Sequence, residues 1–215
     1  INGHNVSKRE LRDFASSQPN IAARMLQFYN AYQDMKSNVH SAAVTSQDGR
    51  QRVSTTTMVE DVRLFLQDAG NYFPELEDAA DAFIQQAGFN RDTLFSDICR
   101  WFKTEQNYDV QIVPAETMQQ SLRRYDPHRS RILLSEALRR PQRIFQLLLQ
   151  AAYATQGEVI DAIIAKADKP EIAPLLRNTL AGYFAGAVMM PYGDFAEAAR
   201  QMRYDIDLIG RRFGV

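Results

Sequence analysis

One stretch of the chain, residues 108–134, has the pattern of β-strands, and this limits the fold more than any other feature. The candidate strands are Tyr108–Val113, Met118–Tyr125 and Arg129–Leu134. Pro114 stops the first strand, and Asp126 with Pro127 forms a turn signal before the last one. Short strands joined by short turns predict a small antiparallel three-stranded sheet.

The rest of the chain has helical periodicity on both sides of this stretch. After the linker described below, apolar residues recur at helical spacing, and proline and glycine mark helix starts and ends. The predicted helices are Met58–Ala69, Pro74–Gly88, a helix capped by Asn90 or Asp92 and ending near Gln106, Arg140–Thr155, Glu158–Ala167, Pro170–Met190, Phe195–Met202 and Asp205–Arg212. Many helices with one small sheet predict a predominantly helical α+β domain.

Composition divides the chain into three parts. Residues 1–40 contain two helical patterns and predict a helical hairpin, whereas 41–57 is rich in Ser, Thr and Gln and predicts a flexible linker. Residues 58–215 form the main body. No run of roughly 18 or more apolar residues occurs, so no membrane span is expected. Ile1 and Val215 are expected to be cut points in a longer protein.

Charge and cysteine content exclude several function classes. The chain has 25 Lys and Arg against 26 Asp and Glu, whereas a domain that binds DNA by itself is normally basic. The one cysteine, Cys99, excludes an internal disulfide and a multi-cysteine metal site. Its helical spacing from Phe95 and Phe102 predicts a small buried apolar residue, and a reducing cytoplasm is the expected location.

The segment from Phe145 to Tyr153 is the main evidence for which chemistry the chain can carry out. On spacing alone, Phe145, Leu149 and Tyr153 form one face of a helix and indicate ordinary core packing. Its surroundings give it another meaning, because three longer segments resemble one family. They are Asn71–Ala80, then Arg124–Leu138 with Arg143–Leu147, and then Leu175–Tyr192 with Phe195 and Arg203–Ile206.

These segments resemble the short-chain fatty-acyl transcriptional regulators, whose middle domain is similar to ImmA/IrrE-type metallopeptidases. Regulators of acetate metabolism and of propionate or methylcitrate metabolism in actinobacteria belong to this group. The resemblance covers residues 58–213 well and 7–40 loosely. It implies a degenerate zincin-like fold, preceded in the full protein by a helix-turn-helix domain that binds operator DNA and followed by a further domain, both absent from this chain.

The resemblance also shows where this chain departs from a working peptidase. A zinc peptidase helix needs two His at i and i+4, with a Glu beside the first to activate water. Here those positions are Leu149, Gln150 and Tyr153, and Asn178 and Leu180 stand where the downstream acidic ligand is expected. Leucine cannot bind a metal and glutamine cannot act as a base. We therefore expect no metal, no catalytic residue and no enzymatic activity.

The resemblance implies a short-chain acyl-CoA, such as acetyl- or propionyl-CoA, as the ligand instead. The relined metal cleft is a candidate for the acyl pocket, with Leu149 and Tyr153 facing the space for the acyl tip and Phe145 as a further ligand-binding candidate on the same helix. The Tyr153 hydroxyl could bond the thioester carbonyl, or it could simply bond backbone. Tyr72, in the turn before Pro74, could contact the ligand or only brace the helix that follows.

Phosphates at the other end of such a ligand require cations. Lys103 is the first candidate and its neighbour Arg100 is a weaker one, and the alternative for Lys103 is a solvated lysine that favours the C-terminal end of its helix. Arg177 and Tyr183 are expected at the edge of the cleft. The arginine run 123–131 is a further candidate for a phosphate-binding or partner surface.

Together these observations predict a sensor domain rather than an enzyme. Its ligand would be a short-chain acyl-CoA, and its partners would be operator DNA, through the absent domain, and further copies of the same chain in a homo-oligomer. The alternative is a catalytically inactive protein-interaction or oligomerisation domain in which core residues fill the old cleft. That alternative predicts no pocket and no binding of CoA.

Overall fold

The computed structural model of the chain describes residues 49–118 and 121–215, with the side chains of 49–56 left out. The chain divides between Thr57 and Met58, and the following account concerns the unit Met58–Val215. The predicted hairpin over residues 1–40 lies outside the described residues.

The described elements follow the predicted order of helices, strands and helices. The helices are α1 (Gly49–Asp68), α2 (Pro74–Ala87), α3 (Leu94–Glu105), α4 (Arg140–Thr155), α5 (Gly157–Ile164), α6 (Ala173–Met189), α7 (Tyr192–Gln201) and α8 (Ile206–Phe213). The strands are β1 (Asp109–Val113), β2 (Arg123–Asp126) and β3 (Arg131–Ser135), and single 3-10 turns occupy Pro127–Arg129 and Pro170–Ile172. The predominantly helical α+β class is confirmed. Because α1 begins at Gly49, it overlaps the second half of the predicted linker.

Local sequence signals explain where several helices begin and end. Pro74 occupies the first turn of α2, and Gly88 closes it with φ of 63°, a left-handed conformation that glycine adopts without strain. Helix α8 begins where the Asp205 carboxylate accepts a hydrogen bond of 3.0 Å from the Leu208 backbone N–H. These local signals determine where the two helices begin and end.

The sheet has the order β1-β3-β2 and is mixed. β2 pairs antiparallel with β3, but β1 pairs parallel with β3, so that Asp109 lies opposite Arg131 and Val113 opposite Ser135. The predicted antiparallel sheet is therefore wrong for the first strand. β3 takes the centre because its Ile132 and Leu134 are fully buried, and the chain after β1 crosses to the far side of β3 before β2 begins.

Helix α6 is the centre of the main core and packs against both α4 and α2. Large side chains such as Phe184 and Leu147 are fully buried there. Where α6 faces α4, small residues are also fully buried: Ala151, Ala152, Ala181 and Ala185. Small residues let two helix axes approach closely, so α4 and α6 form a tight seam. Among the described helices, none combines the length and apolarity that a membrane crossing requires.

Helices α7 and α8 form a second, smaller apolar cluster. Its buried members are Ala198, Ala199, Ile209 and Phe213. The turn between the two helices places two consecutive non-glycine residues, Arg203 and Tyr204, at positive φ of 51° and 62°. Arg91 meets this cluster from outside, with its guanidinium carbon 4.8 Å from the centroid of the Phe213 ring.

Candidate functional site

The side chains at the zinc-ligand positions line one face of α4. Leu149 is partly buried and packs against the main core, Gln150 is partly buried, and Tyr153 keeps 39% of its surface exposed. This face therefore runs from the core at Leu149 to solvent at Tyr153.

The Tyr153 hydroxyl donates a hydrogen bond of 2.5 Å to the Asn178 side-chain oxygen. The two residues belong to α4 and α6, the helices that hold the metal ligands in peptidases of the resembled type. The resemblance assigns Tyr153 to the position of the second ligand and Asn178 to the region of the third. The side chains that replace these ligands therefore meet each other directly.

Arg123, the first residue of β2, covers Tyr153 from the side of the sheet. Its Nη1 donates to the Gln146 backbone oxygen at 2.7 Å, and its guanidinium carbon is 5.8 Å from the centroid of the Tyr153 ring. Partial burial lowers the pKa of Arg123 from its usual value, while the nearby Tyr153 acts in the opposite direction. The sequence indicates Arg123 only as part of an arginine run, because the approach of its side chain to Gln146 and Tyr153 of α4 has no signal in the local sequence.

The residues present do not fit a zinc ion. Leu149 offers no donor atom, the Tyr153 hydroxyl is engaged with Asn178, and the Arg123 guanidinium is a fixed positive charge that repels a divalent cation. Within residues 49–118 and 121–215, no group of three or more His, Cys, Asp or Glu could hold a metal.

Phe145 lies two turns before Tyr153 and belongs to the same seam. It is partly buried, and a Cβ built on Gly182 of α6 would lie 3.8 Å from its Cζ. The absence of a side chain at Gly182 leaves room beside the Phe145 ring.

Tyr183 and Tyr72 lie on the other side of α6, towards α2. The Tyr183 hydroxyl donates to Glu77 at 2.7 Å and accepts from the Phe73 backbone N–H at 3.4 Å. Burial, together with the Glu77 carboxylate, raises the pKa of Tyr183 well above its usual value. Tyr72 is 41% exposed and its ring centroid is 4.9 Å from that of Tyr192.

Tyr72 lines a cavity of about 540 Å³ whose acidic members are Glu77, Asp78, Asp81 and Asp194. Arg91 also lines this cavity, and it forms an ion pair with Asp194 at 3.2 Å. Carboxylates outnumber cations in the wall, so the cavity disfavours phosphate groups.

The three predicted cations each face a carboxylate. Lys103 pairs with Asp109 at 2.8 Å, Arg100 pairs with Asp97 at 2.6 Å, and Arg177 pairs with Asp161. Contacts from the Asp97 carboxylate to the Thr93 hydroxyl, the Asn90 backbone N–H and Arg100 hold the pKa of Asp97 below its usual value. Arg100 also lines a cavity of about 500 Å³, together with Phe83, Trp101 and Thr155.

The predicted site residues thus fall into separate places. Phe145, Leu149 and Tyr153 share the α4 face, Tyr72 and Tyr183 lie near the start of α2, and the cations are on α3 and α6. Four cavities lined by described residues have volumes of about 500, 540, 240 and 160 Å³, and neither Leu149 nor Tyr153 contributes to their walls. An acyl pocket at these two residues stays a prediction.

Curated relatives of the chain are bacterial regulators. The HTH-type transcriptional regulator PrpR of Mycobacterium tuberculosis is 30% identical over 99% of this chain and 44% of its own length. RamB, also an HTH-type transcriptional regulator of M. tuberculosis, is 27% identical over 98% of this chain and 45% of its own length. A Propionyl-CoA carboxylase regulator of Cereibacter sphaeroides is 29% identical, with 95% and 43% covered. The chain thus spans less than half of the length of these relatives.

A solved structure of a Mycobacterium tuberculosis transcriptional regulator has the same fold. It superimposes with a TM-score of 0.68 at 36% identity, over 74% of this chain and 48% of that chain. Residues 104–215, more than half of the chain, match the IrrE N-terminal-like domain of the M78 peptidases. This stretch includes α4, Arg123, Tyr153 and Asn178. The chain therefore belongs to the IrrE N-terminal-like domain family.

Proposed function

We propose that this chain is the ligand-sensing part of a transcriptional regulator and that its ligand is a short-chain acyl-CoA of the acetyl- or propionyl-CoA class. The observation that carries the proposal is the contact between Tyr153 and Asn178, which puts a phenol and an amide, in place of metal ligands, where the resemblance expects the family's metal site. The names of the relatives support a regulator, and one of them names propionyl-CoA carboxylase as the regulated enzyme.

The α4–α6 seam offers suitable chemistry for the acyl end. Phe145 and Leu149 are partly buried and apolar, which suits a tip of two or three carbons. Tyr153 is exposed enough to be reached from solvent, and its hydroxyl can turn from Asn178 to a thioester carbonyl. The Asn178 amide nitrogen can then donate to the phenol oxygen, and the Asn178 side-chain oxygen, on an exposed residue, can accept from water.

The phosphate end of the ligand would compete for cations that are now held in ion pairs. The side chains of Lys103 and Arg100 remain 57% and 63% exposed in their pairs with Asp109 and Asp97. The Lys103–Asp109 pair is exposed on both sides and such pairs are worth only about 0–1 kcal/mol, so a phosphate could displace Asp109 at little cost. Asp97 is buried, so displacing it from Arg100 would cost more. Arg177 is a third cation, in a pair with Asp161 that is exposed on both sides.

In the full protein, binding would act on DNA through a domain outside this chain. A ligand shifts an equilibrium only through its different affinity for two states, here two arrangements of the DNA-binding domains in a cytoplasmic homo-oligomer. The chain itself is assigned no catalytic step, because the seam lacks both metal ligands and a general base.

A thermal-shift panel tests the proposal. Free CoA and acetyl-, propionyl- and butyryl-CoA are compared at equal concentration. A ligand that binds only the folded state stabilises it by about 2.7 kcal/mol at 100 times its dissociation constant. We expect short acyl-CoAs to raise the melting temperature more than free CoA.

Matched tyrosine variants locate the site. Tyr153→Phe should reduce the difference between acyl-CoA and free CoA, whereas Tyr204→Phe, at a residue that is 72% exposed on the α7–α8 turn, should not. If CoA and all the acyl-CoAs raise the melting temperature equally, the seam does not hold an acyl pocket.

The placement of Leu149 favours one alternative. Leu149 packs against the core and lines none of the four cavities described above, as expected for a closed cleft in a protein-interaction domain. This alternative predicts no thermal shift with any CoA compound, so the same panel separates the two functions.

A further inference from the structure

Arg123 is a partly buried cation without a matching anion. Its described contacts are the Gln146 carbonyl at 2.7 Å and the Tyr153 ring. Across residues 49–118 and 121–215, its guanidinium has no carboxylate within ion-pairing distance, whereas Lys103, Arg100 and Arg177 each have one. A charge that loses water without gaining a counter-charge is unfavourable, and burial accordingly lowers the pKa of Arg123.

A second arginine, on the helix that Arg123 contacts, has an unmet donor. Arg143 lies one turn before Gln146 on α4, and its Nη2 donates to the Glu136 backbone oxygen at 2.9 Å. Its Nε is buried and has no hydrogen-bond partner in the part of the chain that the structure describes. Buried unsatisfied donors are rare in folded proteins, so such a group calls for an explanation.

The two arginines are attached at the same corner of the fold. Arg123 lies opposite Leu134 in the pairing of β2 with β3, and Glu136 follows directly after the end of β3. Four polar residues have the spacing of one stripe along α4: Arg143, Gln146, Gln150 and Tyr153. Hydrogen-bond donors and positive charge therefore exceed hydrogen-bond acceptors along β2 and α4, which flank the relined metal site.

We propose that Arg123 binds an oxyanion, a carboxylate or a phosphoryl group, at the relined metal site, with Arg143 as a second donor nearby. The guanidinium supplies there the positive charge that the metal ion supplies in zinc-binding members of the fold. Its planar fork suits two parallel hydrogen bonds to the two oxygens of such a group. The inference rests on the proposed function only for the identity of the molecule that carries the oxyanion.

Simple compounds distinguish two sources of the oxyanion, a carboxylate at the acyl end of a CoA thioester and a free inorganic ion. Malonyl-CoA differs from acetyl-CoA by one carboxylate, and succinyl-CoA differs from propionyl-CoA in the same way. Inorganic phosphate and sulfate present an oxyanion without any CoA. Isothermal titration calorimetry with these six compounds measures whether the oxyanion is bound at the acyl tip or as a free ion.

Three variants assign the binding to Arg123. A charge-assisted hydrogen bond contributes about 1.5–3 kcal/mol, so Arg123→Gln should weaken binding of the oxyanion compounds roughly 10- to 150-fold. Arg123→Lys keeps the charge without the fork and should recover part of that loss. Arg200→Gln is the matched control, because Arg200 is exposed on α7, with Nε donating to the Ala196 backbone oxygen at 3.1 Å, and belongs to no candidate site. We expect it to bind like the wild type, and the melting temperature of each variant shows that it is folded.

The outcomes separate this inference from the proposed function. Binding of phosphate or sulfate that is lost in Arg123→Gln supports the oxyanion site even if no acyl-CoA binds. Binding of acetyl- or propionyl-CoA that Arg123→Gln leaves unchanged, with no preference for a carboxylated analogue and no affinity for the free ions, overturns the oxyanion site and leaves the sensor function standing. Equal binding by Arg123→Gln and the wild type also overturns it.

Discussion

Replacing Gly182 with alanine should stabilise the fold and weaken acyl-CoA binding at the same time. Gly182 lies in the interior of α6, where glycine is about 1 kcal/mol less favourable than alanine. The added Cβ would lie 3.8 Å from the Phe145 Cζ, an ordinary van der Waals contact. No clash therefore offsets the gain in helix propensity.

Gly186, one turn further along α6, is the matched control. A Cβ built there has no heavy atom within 4 Å, so Gly186→Ala gains helix propensity alone. We expect about 1 kcal/mol for Gly186→Ala and up to about 1.5 kcal/mol for Gly182→Ala, since a partly buried methyl group adds a fraction of 0.8 kcal/mol. In a unit of this size, each kcal/mol raises the melting temperature by about 2–4 °C.

Urea denaturation gives the free energy of unfolding, and titration calorimetry gives the affinity for propionyl-CoA. If Phe145 lines the acyl pocket, the methyl group at position 182 takes space from the acyl tip and lowers affinity about 10- to 200-fold, the usual effect of one methylene in an apolar pocket. Gly186→Ala should keep its affinity. If Gly182→Ala is less stable than the wild type, there is no room for a methyl group beside Phe145. If its affinity for propionyl-CoA is unchanged, Phe145 does not line the acyl pocket.

Other variants test the same seam and one buried thiol. Tyr153→Phe should lower the free energy of unfolding by only about 0.5–1.5 kcal/mol in urea denaturation, because one exposed hydrogen bond to Asn178 is lost; a loss above 3 kcal/mol contradicts this. Leu149→Ala should shift the preference towards longer acyl-CoAs in calorimetry, and an unchanged rank order excludes Leu149 from the pocket. Burial raises the pKa of the Cys99 thiol to about 11, so iodoacetamide should react slowly with the folded protein at pH 8. Because the pKa of Cys99 is higher in the folded protein than in the unfolded chain, the stability that it contributes is fully present below the pKa of the unfolded chain and is lost as the pH rises through about 11. Cys99→Ala should therefore reduce the loss of stability at alkaline pH, as measured by thermal unfolding.

Local signals in the sequence predict the helices well. Proline at the start and glycine at the end locate α2, and periodicity alone gives α4 its observed bounds, Arg140–Thr155. These elements are determined by residues within a few positions of each other. The family's domain could also be identified, since its motifs are contiguous stretches of the chain.

Long-range pairing is what the sequence does not reveal. The alternation in β1 predicts a strand but not its neighbour, and β1 joins β3 because the fully buried Ile132 and Leu134 require cover on both sides. The same limit applies to the site. Tyr153 and Asn178 could be named as replacements of metal ligands, but their hydrogen bond and the approach of Arg123 depend on how β2 and α6 pack on α4.

The small apolar cluster of α7 and α8 has a dynamic consequence. Its four buried residues are few. The contacts that join it to the main body include those of Arg91 with Asp194 and Phe213 and those of Tyr192 with Tyr72 and Glu77, and they are partly exposed. Opening this helix pair therefore needs less free energy than global unfolding, and it should behave as a separate foldon. In hydrogen–deuterium exchange, amides of Tyr192–Phe213 should exchange well before those of α4 and α6. Simultaneous exchange of both regions would mean that the molecule unfolds as one cooperative unit.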